Sequence, residues 1–302
     1  MLVGLCRDAS ILVRSAAISA VGDLLQTKPD DEAVDAFLTG PMNQLSDPEN
    51  KVQELVTGLI QQILFDRIRK YCEFESNDSL PWLFLKGIIR RNMRSHLQRA
   101  CTGLVKSGNC INHRTADILS THLGAGSEAH NLQTLVALTC VAPHVPYNEV
   151  GFVLQYYEKL KNLKSRDARL MPLTLELLTA WSAWVVRAPR TALRDSLIQT
   201  IAADPDHGWR VPAVTLAAHL DPNNIHWATE LMQISERRAL SSTDLEEWMR
   251  AADLSLVADC TPSDAFLKMF IDAVTNPPQE WSDAEWGACI AGVARVCVRS
   301  RR

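Results

Sequence analysis

The apolar residues of this chain recur at steps of three and four, the spacing that places them on one face of an α-helix. In the clearest stretch they occupy Val52, Leu55, Val56, Leu59, Ile60, Ile63 and Leu64. An earlier stretch repeats the pattern from Val13 to Leu25, and Lys28-Pro29 closes it. No segment alternates apolar and polar residues as a half-buried strand does, so the sequence predicts an all-α protein.

Two of these helices are related by a fixed displacement. Asp8 and Arg14 recur as Asp47 and Gln53, which is a shift of 39 residues. This shift is near the period of about 40–47 residues in HEAT and armadillo repeats. We therefore expect an α-solenoid of HEAT-type antiparallel helix pairs, because each amphipathic pair can hide its apolar face only against its neighbours. Arg14 is expected to pair with Asp8 or Asp23.

Downstream, the same periodicity predicts further helices with weaker repetition. They are placed at residues 80–105, 116–123, 128–141, 148–163, 167–187, 192–203, 209–219, 224–239, 244–258, 263–275 and 283–298. Start signals, in which a hydroxyl caps the first turn and an acid reaches back to it, are Thr243 with Glu246, Thr261 with Asp264, and Ser282 with Glu285. We expect one array over residues 1–302.

Composition narrows the class of protein. With 302 residues, of which 47% are hydrophobic and 22% charged, the chain is globular and not disordered. A membrane helix needs about 20 predominantly apolar residues, and the longest uncharged run, 129–148, contains two His and two Pro. Arg7 interrupts the first apolar stretch too early for a signal peptide. A soluble intracellular protein without membrane contact is expected.

Residues that commonly carry catalysis or bind metals form no constellation in the sequence. The eight cysteines contain no C-x-x-C pair and the eight histidines no H-E-x-x-H, so we expect reduced thiols and no metal site. The letters GAGSEA at 124–129 match a dinucleotide fingerprint, but that fingerprint follows a strand, and the residues before it have a helical pattern. They are interpreted as a turn between helices. We predict a protein that is not an enzyme and has no cofactor.

The strongest charge asymmetry is residues 79–116, which contain seven Lys and Arg and no acid, so the rest of the chain carries −11. Lys86, Arg90 and Arg94 are spaced by four and would project from one face of a single helix. The candidate binding residues are Lys86, Arg90, Arg91, Arg94 and Arg99. A nucleic-acid backbone is the favoured ligand, with an acidic protein segment or plain solvent as alternatives, since the overall pI near 6.1 lacks a basic bias.

Particular runs of residues resemble a known family. The run LCRDASILVR at 5–14 continues through AVGDLL at 20–25 and Pro29, and KVQE at 51–54 opens the next repeat. These runs resemble the HEAT repeats of the D-type non-SMC subunit of condensin II. Gln53 departs from the repeat pattern, which has Arg at that position. The likeness is densest up to about residue 70 and continues more loosely downstream.

The resemblance implies a non-catalytic scaffold subunit that acts in mitotic chromosome condensation. Its implied partners are the kleisin and SMC subunits of condensin, together with DNA or chromatin, including histones. Its implied location is the nucleus and mitotic chromosomes, and the chain would be an internal portion of a longer solenoid. The alternative is a general HEAT-repeat adaptor, such as a transport, trafficking or phosphatase scaffold, that binds acidic or helical peptides.

Overall fold

A computed structural model describes residues 2–73, 79–108, 111–163, 167–203, 209–221, 226–241, 245, 248–249, 251–252, 255, 261–278 and 281–300. Within these ranges all regular structure is helical and there is no strand, which confirms the all-α prediction. The chain divides into two compact units, Met1–Trp184 and Val185–Arg302. A single repeat array over the whole chain stays a prediction.

The N-terminal unit contains ten α-helices in its described part. They are α1 Leu2–Leu5, α2 Ile11–Thr27, α3 Asp31–Thr39, α4 Asn50–Ile60, α5 Ser79–Arg90, α6 Arg94–Lys106, α7 His113–Ser120, α8 Glu128–Val141, α9 Gly151–Lys161 and α10 Leu170–Ala180. Short 3₁₀ helices occupy Pro41–Ser46, Ala142–His144 and Ser182–Trp184, and a π-helical turn at Gln61–Phe65 extends α4.

These helices pack as pairs in two layers. In one layer α2, α4 and α6 lie side by side, and in the other α3 packs on α5, α5 on α8, and α8 on α10. Helices α2 and α3 connect the layers. The helices of these two layers thus contact both a sequence neighbour and the next helix of their own layer, which is how a helical repeat buries its apolar faces.

The displacement of 39 residues is visible in matching contacts. The Asp8 carboxylate accepts from the backbone N–H of Ser10 at 2.8 Å, and the Asp47 carboxylate accepts from that of Glu49 at 2.9 Å. The side chain of Arg14 donates to the Asp8 carbonyl at 2.9 Å. Likewise, the Gln53 amide donates to the Asp47 carbonyl at 2.6 Å. Gln53 therefore keeps the backbone contact of the arginine that it replaces.

The prediction that Arg14 pairs with Asp8 or Asp23 was wrong. Its guanidinium pairs with the Asp47 carboxylate, with Nε 2.8 Å from Oδ2. Asp8 supplies only backbone oxygen, and Asp23 is not its partner in the described contacts. The pair joins two repeats, so it could not be inferred within one of them.

A close approach of α3 and α5 determines where the predicted basic residues lie. Gly87 faces α3, and a Cβ built on it would lie 2.4 Å from Cγ1 of Val34 and 3.0 Å from Cδ1 of Leu38. A larger residue would hold the two helices apart. The missing side chain therefore brings the exposed face of α5 beside the face of α3 that carries Asp31 and Asp35.

The prediction of one continuous helix over 80–105 was wrong, because the structure has two helices there, α5 and α6. Helix α5 ends at Arg90, and Asn92 adopts a left-handed conformation with φ of 52°. The N–H of Met93 then returns to the Ile88 carbonyl at 2.9 Å, and α6 begins at Arg94. Asn is among the few residues that tolerate this conformation.

The C-terminal unit is also helical. Its described helices are α11 Arg187–Ala203, α12 Arg210–Leu220, α13 His226–Ser241, α14 Asp264–Thr275 and α15 Asp283–Ser300. Helix α11 packs on α12, α14 on α15, and α13 on α14. The predicted Ser282–Glu285 start signal is confirmed. Helix α14 is capped by Ser263 and not by Thr261, and Thr243 with Glu246 lies outside the described residues.

Candidate functional site

Two of the five predicted basic residues, Lys86 and Arg90, lie on α5, and Arg91 directly follows its last residue. All three form ion pairs with α3. Lys86 Nζ is 3.3 Å from Asp31 Oδ2, and Arg90 reaches Asp31 at 3.3 Å and Asp35 at 2.6 Å. Arg91 Nε is 2.9 Å from Asp35 Oδ1. The hydrogen bond from Arg91 lowers the pKa of the Asp35 carboxyl. We call Lys86, Arg90 and Arg91 the basic ridge.

The positive charges of the basic ridge are paired with carboxylates but remain accessible to solvent. Its side chains are 53%, 42% and 39% exposed for Lys86, Arg90 and Arg91. Two carboxylates face these three cations, so the local excess is one positive charge. Exposed ion pairs of this kind contribute little to stability, because solvent screens their charges, and a phosphate would have to compete with Asp31 and Asp35. Binding of nucleic acid or of an acidic partner at the basic ridge stays a prediction.

Arg94 and Arg99 do not share that face, which corrects the single-helix geometry expected from their spacing. Both lie on α6, beyond the break at Asn92. Arg94 pairs with Glu176 of α10, and Arg99 donates to the hydroxyl of Ser46. The five candidates are thus distributed over α5, the turn after it and α6, and they have three groups of partners.

A groove lies beside Arg94, between α5, α8 and α10. It encloses about 350 Å³. Its apolar lining is Ile88, Ile89, Leu132, Val136, Pro172 and Leu173, and its polar lining includes Asn92, Arg94, Arg169 and Glu176. An apolar side chain with a charged neighbour would fit such a surface. Sequence reasoning missed the groove because its walls come from helices far apart along the chain.

Two histidines that the sequence left as scattered imidazoles meet in an aromatic cluster. His122 Nδ1 lies 3.1 Å from His130 Nε2, and the ring of Trp82 lies 4.7 Å and 4.1 Å from the two imidazoles, between centroids. Tyr71 contacts the edge of His122 at 5.6 Å. His122 is almost completely buried, whereas His130 keeps part of its surface in solvent.

Hydrogen bonding defines the proton positions of this histidine pair. His122 Nε2 is 2.7 Å from the carbonyl of Arg69, which can only accept, so Nε2 carries the proton. In the neutral ring, Nδ1 then accepts from Nε2–H of His130. Burial lowers the pKa of His122, and burial together with the charge of His122 lowers the pKa of His130 to about 4. The pair is therefore neutral near pH 7.

The remaining motifs have structural roles. Gly124 has φ of 85° in the turn between α7 and α8, and its N–H donates to Asn131. A helix precedes it, which confirms the interpretation of 124–129 as a turn. Cys6, Cys72, Cys101, Cys140, Cys289 and Cys297 are free thiols. Across the described residues, no three His, Cys, Asp or Glu side chains are grouped as metal ligands.

Comparison with known proteins gives one informative similarity. No protein-family model matches the chain. Over 166 residues it is 24% identical to the protein named condensin-2 complex subunit D3-L of Xenopus laevis. The aligned region covers 54% of this chain and 11% of that subunit. The chain is thus distantly similar to a condensin II D3 subunit, in agreement with the resemblance of its first repeats. None of the described helices is long and apolar enough to span a membrane.

Proposed function

We propose that this protein is a non-catalytic HEAT-repeat scaffold subunit of condensin II, acting in mitotic chromosome condensation. One observation carries the proposal: the repeat register of Asp8 and Asp47, with Arg14 and Gln53 at matching positions, occurs in a chain that is similar to a condensin-2 D3 subunit. Its partners in this role are kleisin and SMC subunits and chromatin, and its location is the nucleus and mitotic chromosomes.

The packing supports a scaffold role on physical grounds. Helices laid side by side, such as α2, α4 and α6, expose grooves between neighbours. The groove between α4 and α6 encloses about 320 Å³, and the one between α5, α8 and α10 about 350 Å³. Surfaces of this kind suit extended or helical segments of other proteins, which bind by anchoring a few side chains.

Affinity purification from mitotic cells tests the proposal. The tagged full-length protein should recover a kleisin and an SMC pair and should lie on mitotic chromosomes, whereas the tag alone should do neither. Its depletion should loosen chromosome compaction, and SMC subunits alone should not restore it. A protein that stays cytoplasmic through mitosis and recovers no SMC or kleisin peptides would contradict the condensin assignment.

The groove between α5, α8 and α10 favours a second candidate function, a general adaptor for acidic or helical peptides. Arg94 and Arg169 border its apolar floor. The test is fluorescence anisotropy with a peptide that places a Leu or Phe between acidic residues. Ile89→Asp in the groove should abolish binding, because it adds a carboxylate that repels the acidic peptide, while Ile271→Asp on an exposed site of the other unit should not. Peptide binding without SMC or kleisin recovery would favour the adaptor.

A further inference from the structure

Two arginines from distant parts of the chain meet at a polar pocket beside the start of α7. Arg69 follows the π-helical turn after α4, and Arg114 lies in the first turn of α7. The pocket encloses about 310 Å³. Its other polar lining residues are Gln61, Asp66, Asn112 and Thr115. We call Arg69 and Arg114 the arginine pair.

Among the residues that the structure describes, the arginine pair has no acidic partner, unlike the basic ridge. Both side chains are exposed, and no carboxylate of the described residues lies within 4.0 Å of either guanidinium. The Arg69 guanidinium donates from Nη1 to the Asp66 carbonyl at 3.0 Å. Asp66 is the one acid in the lining, and its carboxylate accepts from the Gln61 amide at 3.4 Å. Two cations therefore stand against one carboxylate.

The position of Arg114 adds an independent reason to expect an anion. The first turn of a helix carries partial positive charge, which favours acidic side chains there and disfavours cations. Helix α7 has no acid in its first turn and has Arg114 instead. Its cap is made by Asn112 and Thr115, which are both neutral. The helix terminus and the arginine pair thus place like charge together, and a bound anion would relieve the repulsion.

We propose that this pocket binds a phosphate of a nucleic-acid backbone, with Arg69 and Arg114 donating to its oxygens. Arg pairs match phosphate geometry because each planar guanidinium can donate two parallel hydrogen bonds. Lys70 follows Arg69 and is exposed, so Arg69, Lys70 and Arg114 together supply three cations. This number exceeds what a single phosphate group requires and suits a polymer of phosphates. The inference deepens the chromatin contact of the proposed function and rests on it for that biological setting.

The experiment compares two double variants that remove equal charge from the full chain. Arg69→Gln/Arg114→Gln alters the arginine pair, and Lys86→Gln/Arg90→Gln alters the basic ridge. Fluorescence anisotropy with several 25-base-pair duplexes gives the affinity of each protein over a range of salt concentrations. The change in the arginine pair should weaken binding roughly tenfold or more at about 0.1 M salt, alike for all sequences. The slope of log K against log salt should fall by about two.

The basic-ridge variant removes the same charge from cations that already face Asp31 and Asp35, so it should change the affinity and the slope less than the arginine-pair variant does. The opposite pattern, with loss only in the basic-ridge variant, would overturn the inference, as would failure of the unaltered protein to bind duplex. A phosphoserine peptide that binds through Arg69 and Arg114 when duplex does not would make the pocket a phosphopeptide site and overturn the nucleic-acid assignment. Circular dichroism melting of each variant checks folding. Recovery of SMC and kleisin subunits is measured separately, so failure of the proposed function can be distinguished from failure of phosphate binding at this pocket.

Discussion

Arg14 of one repeat and Asp47 of the next form a two-point ion pair that is almost completely withdrawn from solvent. Nε lies 2.8 Å from Oδ2 and Nη2 lies 3.0 Å from Oδ1, with the side chains 10% and 2% exposed. Arg14 also donates to the carbonyls of Asp8 and Ala9. Since Asp47 is the counterpart of Asp8, the pair connects equivalent points of successive repeats.

Removing one member of this pair should destabilise the protein strongly. Arg14→Met leaves the Asp47 carboxylate buried without its cation, which typically costs about 3–5 kcal/mol. Urea denaturation followed by circular dichroism measures the free energy of unfolding. The double variant Arg14→Met/Asp47→Leu should recover part of the loss, because no isolated charge is left behind.

The exposed pair of Arg91 with Asp35 provides the control. Arg91→Met should change the free energy of unfolding far less than Arg14→Met does, because solvent screens both charges. Equal effects of Arg14→Met and Arg91→Met would contradict the structural importance of the inter-repeat pair.

The sequence predicted the repeat but not the partner of Arg14, and the reason is physical. Helical periodicity and the Asp8 and Asp47 turns are local, so they can be recognised within a few residues. The carboxylate that meets Arg14 lies 33 residues away in the next repeat. The sequence offered the nearby Asp8 and Asp23 with equal plausibility. Only the stacking of repeats distinguishes among these acids.

The candidate site was predictable to a similar degree. Lys86 and Arg90 do share a helix face, as their spacing indicates, and both reach Asp31. Their compensation by α3 was not predictable, because Asp31 lies 55 residues from Lys86. The absence of acids from residues 79–116 therefore led us to expect more unpaired positive charge on α5 than the structure shows. The break between α5 and α6 depends on the left-handed backbone of Asn92 alone. A single polar residue does not interrupt the apolar periodicity, so the pattern did not predict the break.

Gly87→Ala should destabilise the protein, although alanine is the better helix former. The added methyl group would lie 2.4 Å from Cγ1 of Val34, on a short side chain that cannot turn away freely. Overpacking of this kind costs about 1–3 kcal/mol. Gly58→Ala on α4 is the matched control, because nothing lies within 4 Å of its Cβ position. The control should be stabilised by up to about 1 kcal/mol, and destabilisation of both variants alike would contradict the close approach of α3 and α5.

Acidification should destabilise the protein through the pair of His122 and His130. The pKa of His130 falls from 6.5 to about 4 on folding, so the unfolded chain binds more protons between these values. The free energy of unfolding should therefore decrease as the pH falls from about 6.5 towards 4. Partial exposure of His130 reduces the effect to roughly 1 kcal/mol between pH 7.5 and 5. Thermal melts over this pH range measure it.

His130→Gln removes the titrating ring while keeping an N–H that can donate to His122. It should therefore flatten the pH dependence of the melting temperature. His219→Gln, at an exposed position on α12, should leave that dependence unchanged. A His130 variant with the full pH dependence would assign the effect to other groups.

Cys140 should be unreactive in the native protein and react normally after unfolding. The side chain is almost completely buried on α8, and burial raises the pKa of its thiol to about 12. Because the thiolate is the reactive form, this pKa makes the thiolate fraction at pH 8 roughly a thousandfold smaller than for a thiol of pKa 9.0. Labelling with iodoacetamide and peptide mass spectrometry gives the rate at Cys140 in native buffer and in urea.

In urea under non-reducing conditions all eight cysteines should react as free thiols, since their spacing indicates no disulfide framework. The half-buried Cys72 is the internal control for reagent quality in native buffer. Native labelling of Cys140 as fast as in urea would contradict its burial, and fewer than eight reactive thiols in urea would reveal a bridge.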